Sequence, residues 1–584
     1  MLIPSSVLDG QPDAPSPSVQ AYRPAASPVT TALALLAAVA VYLATAVPQL
    51  GRPLIYDEVD FAKASQAVAT GTFRYDRGYI ADYEDAADAG QRFQDALWHP
   101  PGYLMALAAW QQWLPGGDPS LRTFGLLCGL LTLGATAALA GWAAGPRAAG
   151  LAAILWSTSP YAVQSALLLD IDGTVLAPLV AVLALLALRA TAPDPAPPGA
   201  LRWVLVGASF ALALWCKLST PLVVAGALLV WLVACRRWTA AAGLGLSCLA
   251  GALLFSLTWL LVAAAAGVPA ARPLEATWHA VLEVAGHGSA TASSIPPILV
   301  ALVAALRSAQ WLHPLSLCLL VATPLALRRR DAGGALLVLA ALGAAVALAK
   351  LAAGFPKYQA GTWPLVVAVL AAALARWLAS PRGHAAPWLM GGAMAGAGAT
   401  VLLGSDALIR AVELRHLALW LGAAAAALAG ARWLGPRRTA ATVLGLLLGA
   451  NLATGLHLAR SPGSTTYFFG ARGQVEAGTW LGSARALPGC ATCPDGAGPA
   501  AVADREVAYY AGAVHFVDTE RFLDSLSSQA PAVVGTAGGA PVVISRHPAL
   551  AARLPPSFRP WMAFGDYQVW VRQEGETVCG HEGA

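Results

Sequence analysis

Apolar stretches of about 20 residues recur along most of this chain, each long enough to cross the ~30 Å hydrocarbon core of a bilayer. Few charges interrupt them: 57% of the 584 residues are hydrophobic and 11% are charged. A soluble core cannot hide so much apolar surface behind so little charge. The chain therefore reads as a polytopic α-helical membrane protein. Judged by apolar length, thirteen spans lie near 29–50, 121–144, 148–167, 173–189, 202–216, 218–235, 239–267, 311–327, 333–353, 359–378, 386–404, 416–434 and 439–459. Residues 101–114, "PGYLMALAAWQQWL", are too short to cross and read as an interfacial helix, as does the first part of 296–310.

Arginine placement orients these spans. With the N-terminus inside, Arg147, Arg189, Arg202, Arg236, Arg237, Arg328, Arg329, Arg330, Arg382, Arg437 and Arg438 all fall on the cytoplasmic side, following the positive-inside rule. Three segments then lie outside: 51–120, 268–310 and 460–584. Moving 101–114 into the membrane would break the pattern downstream. The net charge of +5 thus reflects topology and gives no reason to expect nucleic acid as a partner. Residues 1–28 are Pro/Ser-rich, without an apolar core or cleavage site, and read as a disordered cytoplasmic tail ahead of a membrane domain over 29–459.

The four lysines, Lys63, Lys217, Lys350 and Lys357, run against the arginine trend and all fall at the outer face. An ammonium suits phosphate as a point charge, so these positions suggest a bound anion; the other reading is anchorage to anionic lipid. Acids share that face. "LIYDEVDFAKASQ" (54–66) sets Asp57 and Glu58 just beyond the first span, and the pattern predicts a short helix over 58–69. The acids from Asp76 to Asp88 read as a solvated face, and "WHPPG" (98–102) closes the loop with a rigid turn. "SALLLDIDGTVLAP" puts Asp170 and Asp172 at the outer end of a later span. An acid there is either a snorkelling interface residue or a functional one.

Residues 460–584 alternate short β-rich and helical pieces, the pattern of a small extracytoplasmic α/β domain. It carries Cys490, Cys493 and Cys579, for which a disulfide between Cys579 and one of the other two fits better than a zinc site. No histidine cluster has metal-ligand spacing, so no cofactor is expected, although a divalent metal stays open. No GxxxxGK loop is present, which argues against ATP-driven work.

In this order the pieces resemble a superfamily. "YDE" (56–58), "HPPGY" (99–103), an Asp at 170 or 172, "CKLSTPL" (216–222) and "FPKYQAGTWP" (355–364) together resemble the GT-C glycosyltransferases that use polyprenyl-phosphate sugars. The likeness is to the protein O-mannosyltransferase-like group (glycosyltransferase families 39 and 83), which includes bacterial aminoarabinose lipid A transferases. It covers roughly residues 30–380. Two departures concern specificity: the late loop has lysine where arginine is frequent, and "VQSALLLD" lacks the arginine often found ahead of the second acid.

The resemblance implies an inverting transfer of a monosaccharide from a polyprenyl-phosphate donor to an acceptor hydroxyl on a glycan, lipid or protein, at the outer side of the cell (plasma or inner) membrane. It implies that Asp57 is the base, preferred over the adjacent Glu58, and that Asp172 or Asp170 orients acceptor or sugar. Lys217, Lys357 and Tyr358 would hold the phosphate, and Tyr56 and His99 would line the pocket. A phosphate leaving group needs no protonation, so one base and one cation suffice, unlike the two carboxyls of a glycosidase. The rival class is a secondary transporter or lipid flippase, which predicts midplane charges and related halves. Here the charges cluster at span ends.

Overall fold

The computed structural model describes residues 28–55, 57–71, 73–76, 93–95, 99–192, 199–271, 333–340, 356–379, 384–403, 435–460, 473–484, 501–511, 516–519, 542–547 and 549–572, with scattered positions at 275 and between 422 and 434. The expected tail, the span at 311–327, residues 341–353 of the span at 333–353, most of 416–434, the bulk of the 268–310 segment and all three C-terminal cysteines fall outside the described residues.

Helices form where the apolar stretches fall. Among the described residues, six are long and apolar enough to cross a membrane: Val29–Gln49, Gly117–Ala144, Asp172–Ala190, Trp238–Ala265, Gln359–Leu378 and Pro436–Arg460. We label the helices α1 (Pro28–Ala46), α2 (Asp57–Ala69), α3 (Gly102–Trp113), α4 (Gly117–Ala144), α5 (Pro146–Thr158), α6 (Pro160–Leu167), α7 (Ala177–Ala190), α8 (Ala200–Cys216), α9 (Ser219–Ala234) and α10 (Trp238–Ala265). Beyond them lie α11 (Trp363–Leu378), α12 (Ala386–Leu403) and α13 (Pro436–Arg460). Helix α4 is 28 residues long, roughly 42 Å, and packs against α5, α7 and α11 at the bundle centre. Helix α3, at 12 residues, covers only about 18 Å and lies on α2, as a non-spanning helix must.

One expected span is not continuous. Residues 148–167 divide into α5 and α6 at Ser159–Pro160, where Ser159 is extended (φ −73°, ψ 114°) and its hydroxyl accepts the Ala162 N–H at 3.3 Å. Proline has no N–H to continue the ladder and disfavours helical geometry in the residue before it. The stub α6 is buried throughout its length, and Tyr161 on it meets Trp363 of α11 edge-on, with ring centroids 4.9 Å apart.

The C-terminal part is a small sheet domain. Helices α14 (Gln474–Ala484) and α15 (Arg505–Tyr510) cover strands labelled β3 (Ala501–Ala503), β4 (Phe516–Asp518), β5 (Val542–Ser545), β6 (Phe558–Phe564) and β7 (Tyr567–Arg572), after β1 (Arg74–Asp76) and β2 (Phe93–Asp95) of the first loop. The sheet order is β4-β3-β5-β7-β6, with β4, β3 and β5 parallel and β7 antiparallel to both its neighbours. Ala477, Leu481, Val507, Ile544, Tyr567 and Val569 form its core. The protein is thus a polytopic helical membrane protein with a small C-terminal α/β domain.

Candidate active site

The site forms at the end of the bundle that carries the C-terminal domain. Its foundation is Arg122, fully buried one turn into α4. A buried guanidinium must have its donors satisfied, and this one reaches three segments. It donates to the Arg52 carbonyl (2.7 Å), the Pro53 carbonyl (2.7 Å) and the Leu167 carbonyl (2.9 Å). It also grips Glu58 with two bonds, at 2.8 and 3.0 Å. Glu58 is 2% exposed and takes two further donors, the Ile55 N–H (3.0 Å) and the Leu169 N–H (2.8 Å). Its oxygens are fully occupied. Arg122 and Glu58 together tie the 52–58 segment to the 167–169 link.

Asp57, the neighbouring acid, faces the other way. It opens α2, and its side chain is 52% exposed. Lys357 meets it, arriving on the 3₁₀ turn Pro356–Thr362 that precedes α11. The same ammonium lies 3.2 Å from Asp170. Lys357 therefore bridges an accessible carboxylate and a buried one across 300 residues of sequence.

The turn that carries Asp170 is held by its own chain. Asp170 Oδ1 accepts the Asp172 N–H at 3.0 Å, and the Thr174 hydroxyl donates to the Asp170 carbonyl at 2.5 Å. Residues Asp172–Leu176 form a π-helical turn, a geometry frequent at functional sites. Gly173 permits it: a Cβ there would stand 1.9 Å from the Ser165 carbonyl oxygen of α6. Burial pushes the Asp170 carboxyl up, but the Lys357 ammonium, the Asp172 N–H and Lys217 outweigh it and hold the group below the usual carboxylate value.

Asp172 pairs with Lys217, whose ammonium lies 2.5 Å from Oδ2. Lys217 caps α8 in an extended conformation (φ −159°, ψ 137°), which turns its side chain off the helix end. The other oxygen, Asp172 Oδ1, is buried without a hydrogen-bond partner among the described residues and lies against Gly361 of the Lys357 turn. Three aspartates and two lysines thus share one small volume.

Of the residues singled out in the sequence, Asp57, Asp170, Asp172, Lys217 and Lys357 come together. Glu58 is adjacent but committed to Arg122. His99 is half-buried ahead of α3. Tyr103, the last residue of "HPPGY", is fully buried and meets Phe61 of α2 edge-on at 5.3 Å, fixing α3 to α2. Tyr56 and the Tyr358 side chain, like Cys490, Cys493 and Cys579, lie outside the described residues. Among the described residues no group of three or more His, Cys, Asp and Glu could hold a metal ion. Sequence reasoning missed Arg122; its one signal was a charge at the very start of an apolar run.

Comparison with known proteins agrees with this architecture. Residues 98–261 match the model of the dolichyl-phosphate-mannose-protein mannosyltransferase family. No curated protein sequence matches the chain. Among solved structures, ArnT from Cupriavidus metallidurans bound to undecaprenyl phosphate is similar at a TM-score of 0.55 and 17% identity, over 93% of this chain and 98% of that one. Its apo state scores 0.52 at 17% identity, over 93% and 97%. The apo oligosaccharyltransferase of Archaeoglobus fulgidus scores 0.51 at 13% identity, over 89% of this chain and 70% of that one. In fold the protein is similar to GT-C glycosyltransferases, and across α3 to α10 it carries the sequence pattern of the mannosyltransferase family named above.

Proposed function

We propose that this chain is an inverting glycosyltransferase that moves a monosaccharide from a polyprenyl-phosphate donor to an acceptor hydroxyl. The observation that carries this reading is Lys357 bridging the half-exposed Asp57 and the buried Asp170. The likeness to an ArnT that binds undecaprenyl phosphate and the match to a family named for a dolichyl-phosphate sugar support the same class of donor.

The chemistry follows from the charges. The acceptor O–H loses its proton to the Asp57 carboxylate as its oxygen attacks the anomeric carbon. The bond from that carbon to the phosphate oxygen breaks, and the polyprenyl phosphate departs as an anion, so no acid is required. Lys357 stabilises the charge that develops on it. Without donor, Lys357 is engaged by Asp57; a phosphate competing for the ammonium releases that carboxylate as base. Donor binding and base activation become one event. Asp170 stays buried behind Lys357 and fixes its position. Lys217 compensates the buried Asp172, whose second oxygen, needing a donor, is suited to a hydroxyl of the bound sugar.

On this reading the membrane domain spans 29–459 in the cell (plasma or inner) membrane with the N-terminus inside, and 460–584 lies outside. Mass spectrometry of polyprenyl-phosphate sugars and envelope glycans tests it, comparing cells lacking the protein with cells carrying wild type or Asp57→Asn at equal expression. Accumulation of one lipid-linked sugar and loss of one glycan in both the null and Asp57→Asn strains is expected. An Asp57→Asn strain that behaves as wild type would remove Asp57 as base, and an unchanged null strain as well would favour the transporter class.

A further inference from the structure

The segment that delivers Asp57 is gripped from two sides, and the second grip comes from the C-terminal domain. Leu54 is fully buried three residues ahead of Asp57, so its backbone N–H must find a partner. That partner is the Tyr510 hydroxyl, which accepts it at 2.7 Å. Tyr510 in turn donates to Asp118, in the first turn of α4. One phenol therefore bridges the chain ahead of α2 to the helix that carries Arg122. A second contact joins the same elements: Arg505, at the start of α15, lies 3.2 Å from Asp60, one turn beyond Asp57 on α2.

Helix α15 is firmly mounted for this role. Asp504, just ahead of it, accepts the Ser545 hydroxyl at 2.6 Å and the Arg546 N–H at 3.1 Å, both from the end of β5. Glu506 accepts the Tyr567 hydroxyl of β7 at 2.8 Å. On the other side, a Cβ at Gly478 of α14 would stand 2.5 Å from the Cβ of Tyr510, so only glycine permits this approach. The tyrosine is thus fixed to sheet and helix before it reaches across.

We infer that Tyr510 is a positioning residue for the transfer reaction: from the C-terminal domain, it fixes the backbone ahead of Asp57 so that the base meets its acceptor. This rests on the reading of Asp57 given above. On this reading Tyr510 acts through the Leu54 backbone ahead of Asp57, where a displacement of about 1 Å costs on the order of a hundred-fold in rate.

The experiment uses the full-length protein in lipid nanodiscs and in cells, with Tyr510→Phe, which keeps the ring and removes both hydrogen bonds. Hydrogen exchange over residues 52–60 should quicken, and affinity for undecaprenyl phosphate, the probe, should match wild type. Transfer, read as finished glycan per lipid-linked sugar, should fall roughly ten- to a hundred-fold. Asp118→Asn, a milder change to the same grip, should move exchange and transfer in the same direction by less. Unchanged exchange over 52–60 would refute the grip. Faster exchange with undiminished transfer would reduce Tyr510 to a structural contact, as would equal losses of carrier affinity and transfer. Asp57→Asn run alongside separates the two readings. If it is inactive while Tyr510→Phe is fully active, the positioning role alone fails; if it transfers as wild type, the reading of the site fails and the positioning role falls with it.

Discussion

Asp57 and Glu58 are adjacent carboxylates, yet their substitution should have opposite consequences. In Glu58→Gln, whichever position the amide NH₂ takes faces two donors: Arg122 with the Leu169 N–H at one oxygen, Arg122 with the Ile55 N–H at the other. The guanidinium, fully buried, loses its counter-charge. Removing one partner of such a pair costs about 3–5 kcal/mol. Asp57→Asn loses an ion pair whose carboxylate is 52% exposed, for about 0–1 kcal/mol. Thermal melting of the full-length protein in nanodiscs, followed as the surviving monodisperse fraction, should therefore show Glu58→Gln well below wild type and Asp57→Asn close to it. Transfer should show Asp57→Asn inactive despite its intact fold. Replacing both buried partners, Glu58→Leu with Arg122→Met, should not restore stability, because it leaves the Ile55 and Leu169 N–H groups and the Arg52, Pro53 and Leu167 carbonyls without these partners. A Glu58→Gln protein that melts as wild type, or a double variant as stable as wild type, would refute the assignment of Glu58 to structure.

Further outcomes follow from the same geometry. Lys357→Met should weaken undecaprenyl phosphate binding by about ten-fold or more, the worth of a charge-assisted hydrogen bond, as measured by titration in nanodiscs. Gly173→Ala should collapse the Asp170–Asp172 turn, because its Cβ would sit 1.9 Å from the Ser165 carbonyl; lost transfer with a lowered melting temperature is expected. Burial and the nearby Asp504 carboxylate, only partly offset by Arg546, push the Glu506 carboxyl from 4.5 up to about 7. Between those values the folded domain keeps a proton that the unfolded chain has released, so stability is greatest below the lower value and falls as pH rises through the window, by on the order of 3 kcal/mol at most. Protection against hydrogen exchange over 501–511 in the full-length protein, each rate taken relative to the intrinsic rate at that pH, should fall from pH 5 to pH 7 and then level off, and Glu506→Gln should flatten the dependence.

The helical architecture was legible because span length is a local property. The helix expected over 58–69 forms as Asp57–Ala69, and the short stretch at 101–114 forms a 12-residue helix. The division at Ser159–Pro160 was also written locally, in the proline, but a count of apolar residues passes over it. What brings Asp57, Asp170, Asp172, Lys217 and Lys357 together is not local. Lys217 reaches Asp172 across 45 residues and Lys357 reaches Asp57 across 300. Their shared placement at span ends suggested a common surface, but the pairing depends on how α8 and α11 pack. Asp57 and Glu58 could not be separated without their partners. Arg122 was passed over because an arginine opening an apolar run looks like a topology signal until its five acceptors are seen.

The Leu54–Tyr510 bond has a consequence for how the protein is made. Its partners are 456 residues apart, and at a synthesis rate of ~5–20 residues per second the hydroxyl follows the amide by roughly 25–90 s. During that interval the early helices are already entering the bilayer while the segment leading to Asp57 lacks one of its two ties. A chain ended before Tyr510 would carry Asp57 and Glu58 without that tie. The tie between Leu54 and the C-terminal domain thus forms only once Tyr510 has been made.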